Sequence, residues 1–482
     1  MKRHFTLNSG LLLVIVSALL RAQGPALPPS PLSTPANIPQ SGLSFGANPS
    51  QFQGSVPSGQ ATATPIPLSL EGAIARGLKT NLGLLVLDTG NQLARIERKR
   101  ALINLLPNIQ GSVQANEEML DLASFGFHFP GIPTVIGPFR YYNAQAALGQ
   151  TVFDRTALKN KLFADQNQKA AQLSVQDGRD LVVQAVAAAY LQIISDAARI
   201  EATKAQVATA QALYQRAHDQ HVAGVSPAID ELRSQVELKT QQQVLLAQQN
   251  QNDKDKLALG RVIGLPSGQD FALTDTVPYK PLESVAPEEA LRQALETRAD
   301  YQSALMQVRA AETARVAALA QRYPTLGLAA NYGDIGTTFE SSHGVFAVTG
   351  SLRFNIFDSG RIRSDADQAD AIIRQRKNEL ADLQGQIDYQ IRAALLDLKT
   401  AADQVAVSED NLNLANQTLV QARDRFAAGV ADNIEVVQAQ DSVANANQSL
   451  ISSIYMHNLA KVSLARAIGG TETNLQKFMG GK

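Results

Sequence analysis

Hydrophobic and polar positions along the chain follow two different periods. From Asn108 to Asn116 polar residues alternate with apolar or small ones. Near Phe346 the alternation returns, with Phe346, Val348, Gly350, Leu352, Phe354 and Ile356 on one face and Ala347, Thr349, Ser351, Arg353 and Asn355 on the other. Period two predicts strands with one apolar and one polar face. Elsewhere the period is helical: Val405, Ser408, Leu412, Ala415, Leu419, Ala422 and Phe426 recur in steps of three and four. That spacing is a coiled-coil seam, and its small Ser and Ala knobs imply close helix approach.

The helical stretches occupy two windows without proline, from Phe139 to Ser226 and from Thr325 to the C-terminus. The two halves repeat. Phe153-Asp154, Ala223-Gly224-Val225 and Ile263-Gly264 recur as Phe357-Asp358, Ala428-Gly429-Val430 and Ile468-Gly469, at offsets of 204, 205 and 205 residues. Each half reads as a helix stopped by proline, two extended segments, a long helix ending at glycine, and a return helix. The run from Thr156 to Ala223, at 1.5 Å per residue, predicts a rod of about 100 Å. Pro227 suits the start of the first return helix.

The resulting division has a first repeat over 68–264, with strands at about 107–117 and 142–153, a long helix at about 156–223 and a return helix at about 227–264. A connection over 265–285 leads to a second repeat over 286–470. Its strands are expected at about 324–333 and 345–357, its long helix at about 359–428 and its return helix at about 433–468. Residues 471–482 form a tail. At the other end, residues 1–22 read as an export signal, with Lys2, Arg3 and His4 ahead of the apolar run Leu11–Leu20. Residues 23–67 carry no charge and ten of the 20 prolines, which predicts a disordered or extended leader.

Composition narrows the function. The chain has 43 basic and 44 acidic side chains, which argues against nucleic acid as partner, and no cysteine, which excludes disulfides, thiolate metal sites and a lipid-modified cysteine. No Walker A, H-E-x-x-H or G-x-G-x-x-G pattern is present, so neither catalysis nor a cofactor is expected. Thirteen of the 26 aromatic residues fall in 120–153 and 323–357. Among them Phe125, Phe127, Phe129, Phe139, Tyr141, Tyr142 and Tyr332 could form an interfacial girdle. A soluble sandwich would pack the apolar strand faces together, whereas a membrane barrel would turn them to lipid, and the long rods favour the barrel. Four strands cannot close one, so the chain must oligomerise.

At this point the sequence resembles the TolC family of outer membrane efflux proteins. The resemblance rests on Ala294-Leu295-Glu296-Thr297-Arg298-Ala299-Asp300, Gln307-Val308-Arg309-Ala310-Ala311-Glu312, Asn355-Ile356-Phe357-Asp358-Ser359-Gly360-Arg361 and the two turns at Gly224 and Gly429. It implies a mainly α fold with a small β part. Duplicated long helices would build a coiled-coil tunnel, and four strands per chain would enter a twelve-stranded barrel shared by a homotrimer. It also implies an outer membrane exit duct of a tripartite efflux or type I secretion system, with a periplasmic adapter and an inner membrane pump of RND, ABC or MFS type as partners. An exported coiled-coil scaffold that conducts nothing is the alternative.

The resemblance further implies that the turns around Gly224, Val225, Gly429 and Val430 form the periplasmic tip that meets the adapter, and that acidic residues after each glycine line its aperture. Asp230 and Glu435 match those positions, although an acid in a first helical turn also simply complements the helix dipole. Phe426 stands where the family often has tyrosine, and Ala431 where an arginine can sit, so the family's ionic latch is not expected here. His218 and His221, three apart, read as solvated residues near a helix end rather than metal ligands, because no third ligand stands out. The cluster Arg361, Arg363, Arg374, Arg376 and Lys377 reads as a solvated helix face, with contact to inner-leaflet lipid or solutes where the barrel joins the tunnel as the other possibility.

Overall fold

The computed structural model describes residues 52–126, 130–131, 133–275, 279–282, 285–338, 340–428, 430–431 and 433–479. The expected signal segment, most of the expected leader, Phe127, Phe129 and Gly429 lie outside the described residues. The chain divides into two compact units.

One unit takes in residues 99–161 and 316–366 and holds the antiparallel sheet. Strands β2 (Asn108–Asp121), β3 (Val135–Phe153), β5 (Thr325–Gly336) and β6 (His343–Arg353) lie in that order. Val113 pairs with Ala144, Ala146 with Tyr332, and Tyr332 with Phe346. Because directly opposed residues share a face, this register lines up one apolar surface from Ile109 and Val113 through Ala144, Leu148, Leu328 and Tyr332 to Phe346, Val348 and Leu352. That surface is bare: Phe346 is 79% exposed and Val348 66%. The other face carries Ser112, Gln114, Gln145, Asn331 and Thr349, and Asn331 Nδ2 donates to Gln145 Oε1 at 3.2 Å. Within the chain β2 and β6 are edge strands.

The second unit comprises residues 44–98, 162–315 and 367–482. Short strands β1 (Ile66–Leu68) and β4 (Phe271–Leu273) pair in parallel. Helices α1 (Leu70–Thr80) and α2 (Leu82–Ile103) break at Asn81, whose Oδ1 accepts from the N–H of Gly83 and Leu84 at 3.0 and 3.3 Å. In the second repeat α5 (Pro287–Thr297) and α6 (Ala299–Ala320) break at Arg298, the same 217 residues on that separate Pro107 from Pro324. The long helices α3 (Arg155–Val222) and α7 (Arg361–Ala427) begin in the strand unit and turn back into α4 (Ala228–Val262) and α8 (Asn433–Ile468); α9 (Thr471–Met479) follows. The expected coiled-coil seam faces inward: Val405, Ala415 and Ala422 are buried, and the hydroxyls of Ser408 and Ser453 meet at 3.1 Å.

Two cores repeat the same plan. In the first, Val182, Val186 and Tyr190 of α3 pack with Leu259, Ile263 and Phe271; in the second, Ile387 and Ile391 of α7 pack with Leu464, Ile468, Ala290 and Ala294. An 18-residue window of α3 has a mean hydropathy of 1.5, and half of that window is buried inside the protein. From Phe52 onward the segment expected as a disordered or extended leader is tied into the second unit. Phe52 belongs to the first core, its carbonyl accepts from Asn81 Nδ2 at 2.6 Å, and the N–H groups of Val56 and Ser58 bond to the carbonyls of Thr80 and Gly264. A proline-rich segment cannot form its own helix, but its remaining N–H groups can be taken by carbonyls at the ends of helices that others form.

Candidate functional site

Each half of the second unit places its expected site residues at a helix turn. In the first turn, Gly224 takes φ +72°, the left-handed conformation of a helix C-cap, and the N–H of Val225 reaches back to the Gln220 carbonyl at 2.9 Å. Pro227 is the N-cap of α4 rather than its first residue, and offers no side-chain cap. Ser226 Oγ donates to Asp230 Oδ2 at 3.1 Å, and Arg233 lies 3.6 Å from Asp230. Val225 is 77% exposed at the crest.

The two histidines set aside as solvated have a partner in this turn. His218 Nδ1 donates to Glu231 Oε1 at 2.8 Å. His221 Nδ1 donates to the Ser226 carbonyl at 3.2 Å, which leaves its Nε2 3.9 Å from Glu231 Oε2. Glu231 therefore joins the last turn of α3 to the first turn of α4. The two imidazoles meet opposite oxygens of one carboxylate, and among the described residues no group of three or more His, Asp or Glu side chains is arranged to hold a metal.

The second turn has a different closure. Val430 N–H bonds to the Arg425 carbonyl at 3.0 Å, and the Arg425 guanidinium lies 3.5 Å from Glu435 Oε1. Phe426 packs with Leu213 and Leu419 against Ala422, Val436 and Ala439, and the guanidinium of Arg216 sits 5.4 Å from its ring centre. Leu213 and Arg216 belong to α3, so Phe426 ties the two hairpins together through packing. Val430 is 70% exposed.

Asp230 and Glu435 thus each stand beside an arginine of their own chain. The spacing of Asp230 and Arg233 on one helix face was available from sequence. The pairing of Arg425 with Glu435 has no such local spacing, because it is made only across the turn, and the same holds for Glu231 and its histidines.

The stretch Ala294–Asp300 serves another purpose. Arg298, 2% exposed, makes two bonds to Asp300, at 3.1 and 2.6 Å, and donates to Gln390 Oε1 at 2.8 Å and the Ala467 carbonyl at 3.2 Å. Burial works against the Asp300 charge, yet the bonds and charge of Arg298, with Arg466, hold its pKa below the ordinary value. Arg466 also pairs with buried Asp177, whose pKa burial pushes up. This network joins α3, α6, α7 and α8 and is a brace of the fold.

Comparison with known proteins agrees with this architecture. The family model described as outer membrane efflux protein matches residues 86–265 and 290–470, one match per repeat. The chain is 25% identical over 333 residues to the probable efflux pump outer membrane protein SepC of Pseudomonas putida, an alignment that covers 67% of this chain and 66% of that relative. It is 27% identical over 227 residues to the cation efflux system protein CusC of Escherichia coli, covering 45% and 48%. Among solved structures, CusC superposes with a TM-score of 0.70 at 18% identity, over 86% of this chain and all of that one. The Campylobacter jejuni CmeC outer membrane channel superposes with a TM-score of 0.72 at 14% identity, over 89% and 95%. With both repeats matched and the fold shared from strands to hairpins, the chain belongs to the outer membrane efflux protein family.

Proposed function

We propose that three copies of this chain form an outer membrane channel-tunnel, the passive exit duct of a tripartite efflux or type I secretion system. The observation that carries this reading is the four-stranded sheet, with two edge strands and a continuous bare apolar face beside a polar one. Edge strands call for further strands, and an apolar face turned outward is stable in lipid and costly in water. Three such sheets supply twelve strands. The names of relatives such as SepC and CusC, which are efflux components, support the same role.

The two helix turns are the tip. Exposed Val225 and Val430, with Gly224 and Gly429, offer small apolar contacts to a periplasmic adapter, and an inner membrane pump supplies the energy. Asp230 and Glu435 line the aperture as ion pairs with Arg233 and Arg425, and Phe426 holds it by packing. The protein acts as a conduit and not as an enzyme.

Single-channel recording from the purified protein in a planar bilayer tests the proposal, after its trimeric state is verified in detergent. Discrete conductance steps are the expected result. A soluble elongated particle that enters neither detergent nor bilayer would establish the scaffold alternative instead.

A further inference from the structure

The charges of the chain cancel overall, 43 against 44, but within the strand unit they are sorted. Where strands meet helices, over residues 99–107, 153–161, 316–324 and 353–366, the chain carries Lys99, Arg100, Arg155, Lys159, Lys161, Arg322, Arg353, Arg361 and Arg363 against only Asp154, Asp358 and Asp365. Toward the opposite strand ends the sign reverses, with Glu117, Glu118, Asp121, Asp334 and Glu340 against Arg140.

The three acids on the helix side are engaged locally. Asp154 Oδ1 accepts from the Ala157 N–H at 3.0 Å, the Asp358 carboxylate accepts from the N–H groups of Gly360 and Ile362 at 3.1 Å each, and Asp365 accepts from Gln321 Nε2 at 3.3 Å. Four of the cations are less committed. Lys99, Arg322, Arg361 and Arg363 are exposed and Lys159 is half-buried, and Lys99, Lys159, Arg322 and Arg363 make no ion pair among the described residues. Arg155 lies 4.2 Å from the centre of the Tyr323 ring. Arg353 falls on the polar strand face by alternation and is set apart from the others. At the same level Phe153, Tyr323, Phe354 and Phe357 are exposed aromatics.

We propose that this basic belt binds the phosphodiester headgroups of anionic glycerophospholipid in the leaflet nearest the helices. The inference rests on the reading that the strands span the outer membrane. Four chain segments far apart in sequence each contribute cations at the level where the bare apolar face ends, and that level is where lipid phosphates lie. Long basic side chains there can keep their stems along apolar surface and their charged heads among phosphates. Their attraction to an anionic surface falls off within about a Debye length, so only cations this close to the strand ends contribute. The acidic opposite ends would repel the same headgroups, so the belt also favours one orientation of the sheet.

The test uses the full chain, assembled in neutral detergent and then exposed to mixed micelles of phosphatidylglycerol and phosphatidylethanolamine, with bound lipid counted by native mass spectrometry. Phosphatidylglycerol should be retained roughly five-fold or more over phosphatidylethanolamine at low salt, and the preference should collapse near 0.5 M NaCl. The combination Lys99→Gln, Lys159→Gln, Arg322→Gln and Arg363→Gln should abolish the preference, while Arg322→Lys with Arg363→Lys should keep it. Equal retention of the two lipids by the unaltered protein overturns the inference even if the neutralised variant fails to assemble. Displacement of the lipid by millimolar inorganic phosphate would mark a free-phosphate site and overturn it as well. Conductance in bilayers without lipid preference would sink this inference and leave the channel standing, whereas failure to enter any bilayer would remove both.

Discussion

Gly264 and Gly469 close the two return helices at φ +67° and +93°, and a Cβ at either would fall on a neighbour, Thr80 Oγ1 for the first and Thr297 Oγ1, at 2.8 Å, for the second. Gly264→Ala and Gly469→Ala should therefore each cost about 1–3 kcal/mol, read as a lowered denaturation midpoint. Gly224→Ala should cost less, since nothing lies within 4 Å of its Cβ position and only the backbone is strained. The Ile-Gly pairs were visible as a repeat, but their threonine neighbours were not, because no local spacing relates residues brought together by tertiary packing. Asp230 and Glu435 give a second expectation. Arg233→Ala with Arg425→Ala should raise the cation selectivity of the channel, and Asp230→Asn with Glu435→Gln should lower it; reversal potentials in a salt gradient report both. A third concerns pH. His457 is fully buried, and burial, with the charge of Lys461, holds its pKa down to about 4. The folded chain then refuses a proton that the unfolded chain accepts near pH 6.5, so stability is lost as pH falls from about 6.5 toward 4, by on the order of 3 kcal/mol. Asp196 opposes this. Burial, ahead of its bond to Asp255, raises its pKa to about 6, so its contribution grows as pH falls through that value. Chemical denaturation of His457→Phe across this range should show stability rising on acidification, and that of Asp196→Asn should show it falling.

Among the elements, the two hairpins share a plan and differ in their fastening. Glu231 draws α3 and α4 together through His218 and His221, and Arg425 draws α7 and α8 together through Glu435. These contacts are partly exposed, so each is worth about 1 kcal/mol or less. Glu231→Gln should speed proteolytic cleavage in the first turn and Arg425→Ala in the second, each leaving the other turn unchanged. The long helices were readable because periodicity, absence of proline and a terminal glycine all agree. The fastenings were hidden, since in each hairpin the paired groups lie on opposite sides of the turn, with the cation of the second on the helix before it. The segment from Phe52 to Pro67 shows a related limit: its composition reports that it cannot make its own helix, not that helix ends will accept its hydrogen bonds.

For the whole molecule the apolar strand face sets the strongest constraint. Phe346→Arg or Val348→Arg should cost about 2–4 kcal/mol if the site lies near the middle of the bilayer and sharply reduce the yield of membrane-inserted trimer. Thr349→Lys on the polar face should be tolerated. Heat-modifiable migration of the trimer and urea extraction of membranes would separate the two results.

The duplicated plan, the two periods, the strand faces and the positions of both turns are legible in the chain alone, because each follows from the spacing of residue types along a local run. Tertiary packing sets which side chains meet across the turns, that Arg298 and Arg466 brace α3 of the first repeat against helices of the second, and that charges scattered over four segments gather at one level of the sheet. Those outcomes depend on contacts between distant residues, and hydrophobic spacing carries no information about which polar group will face another.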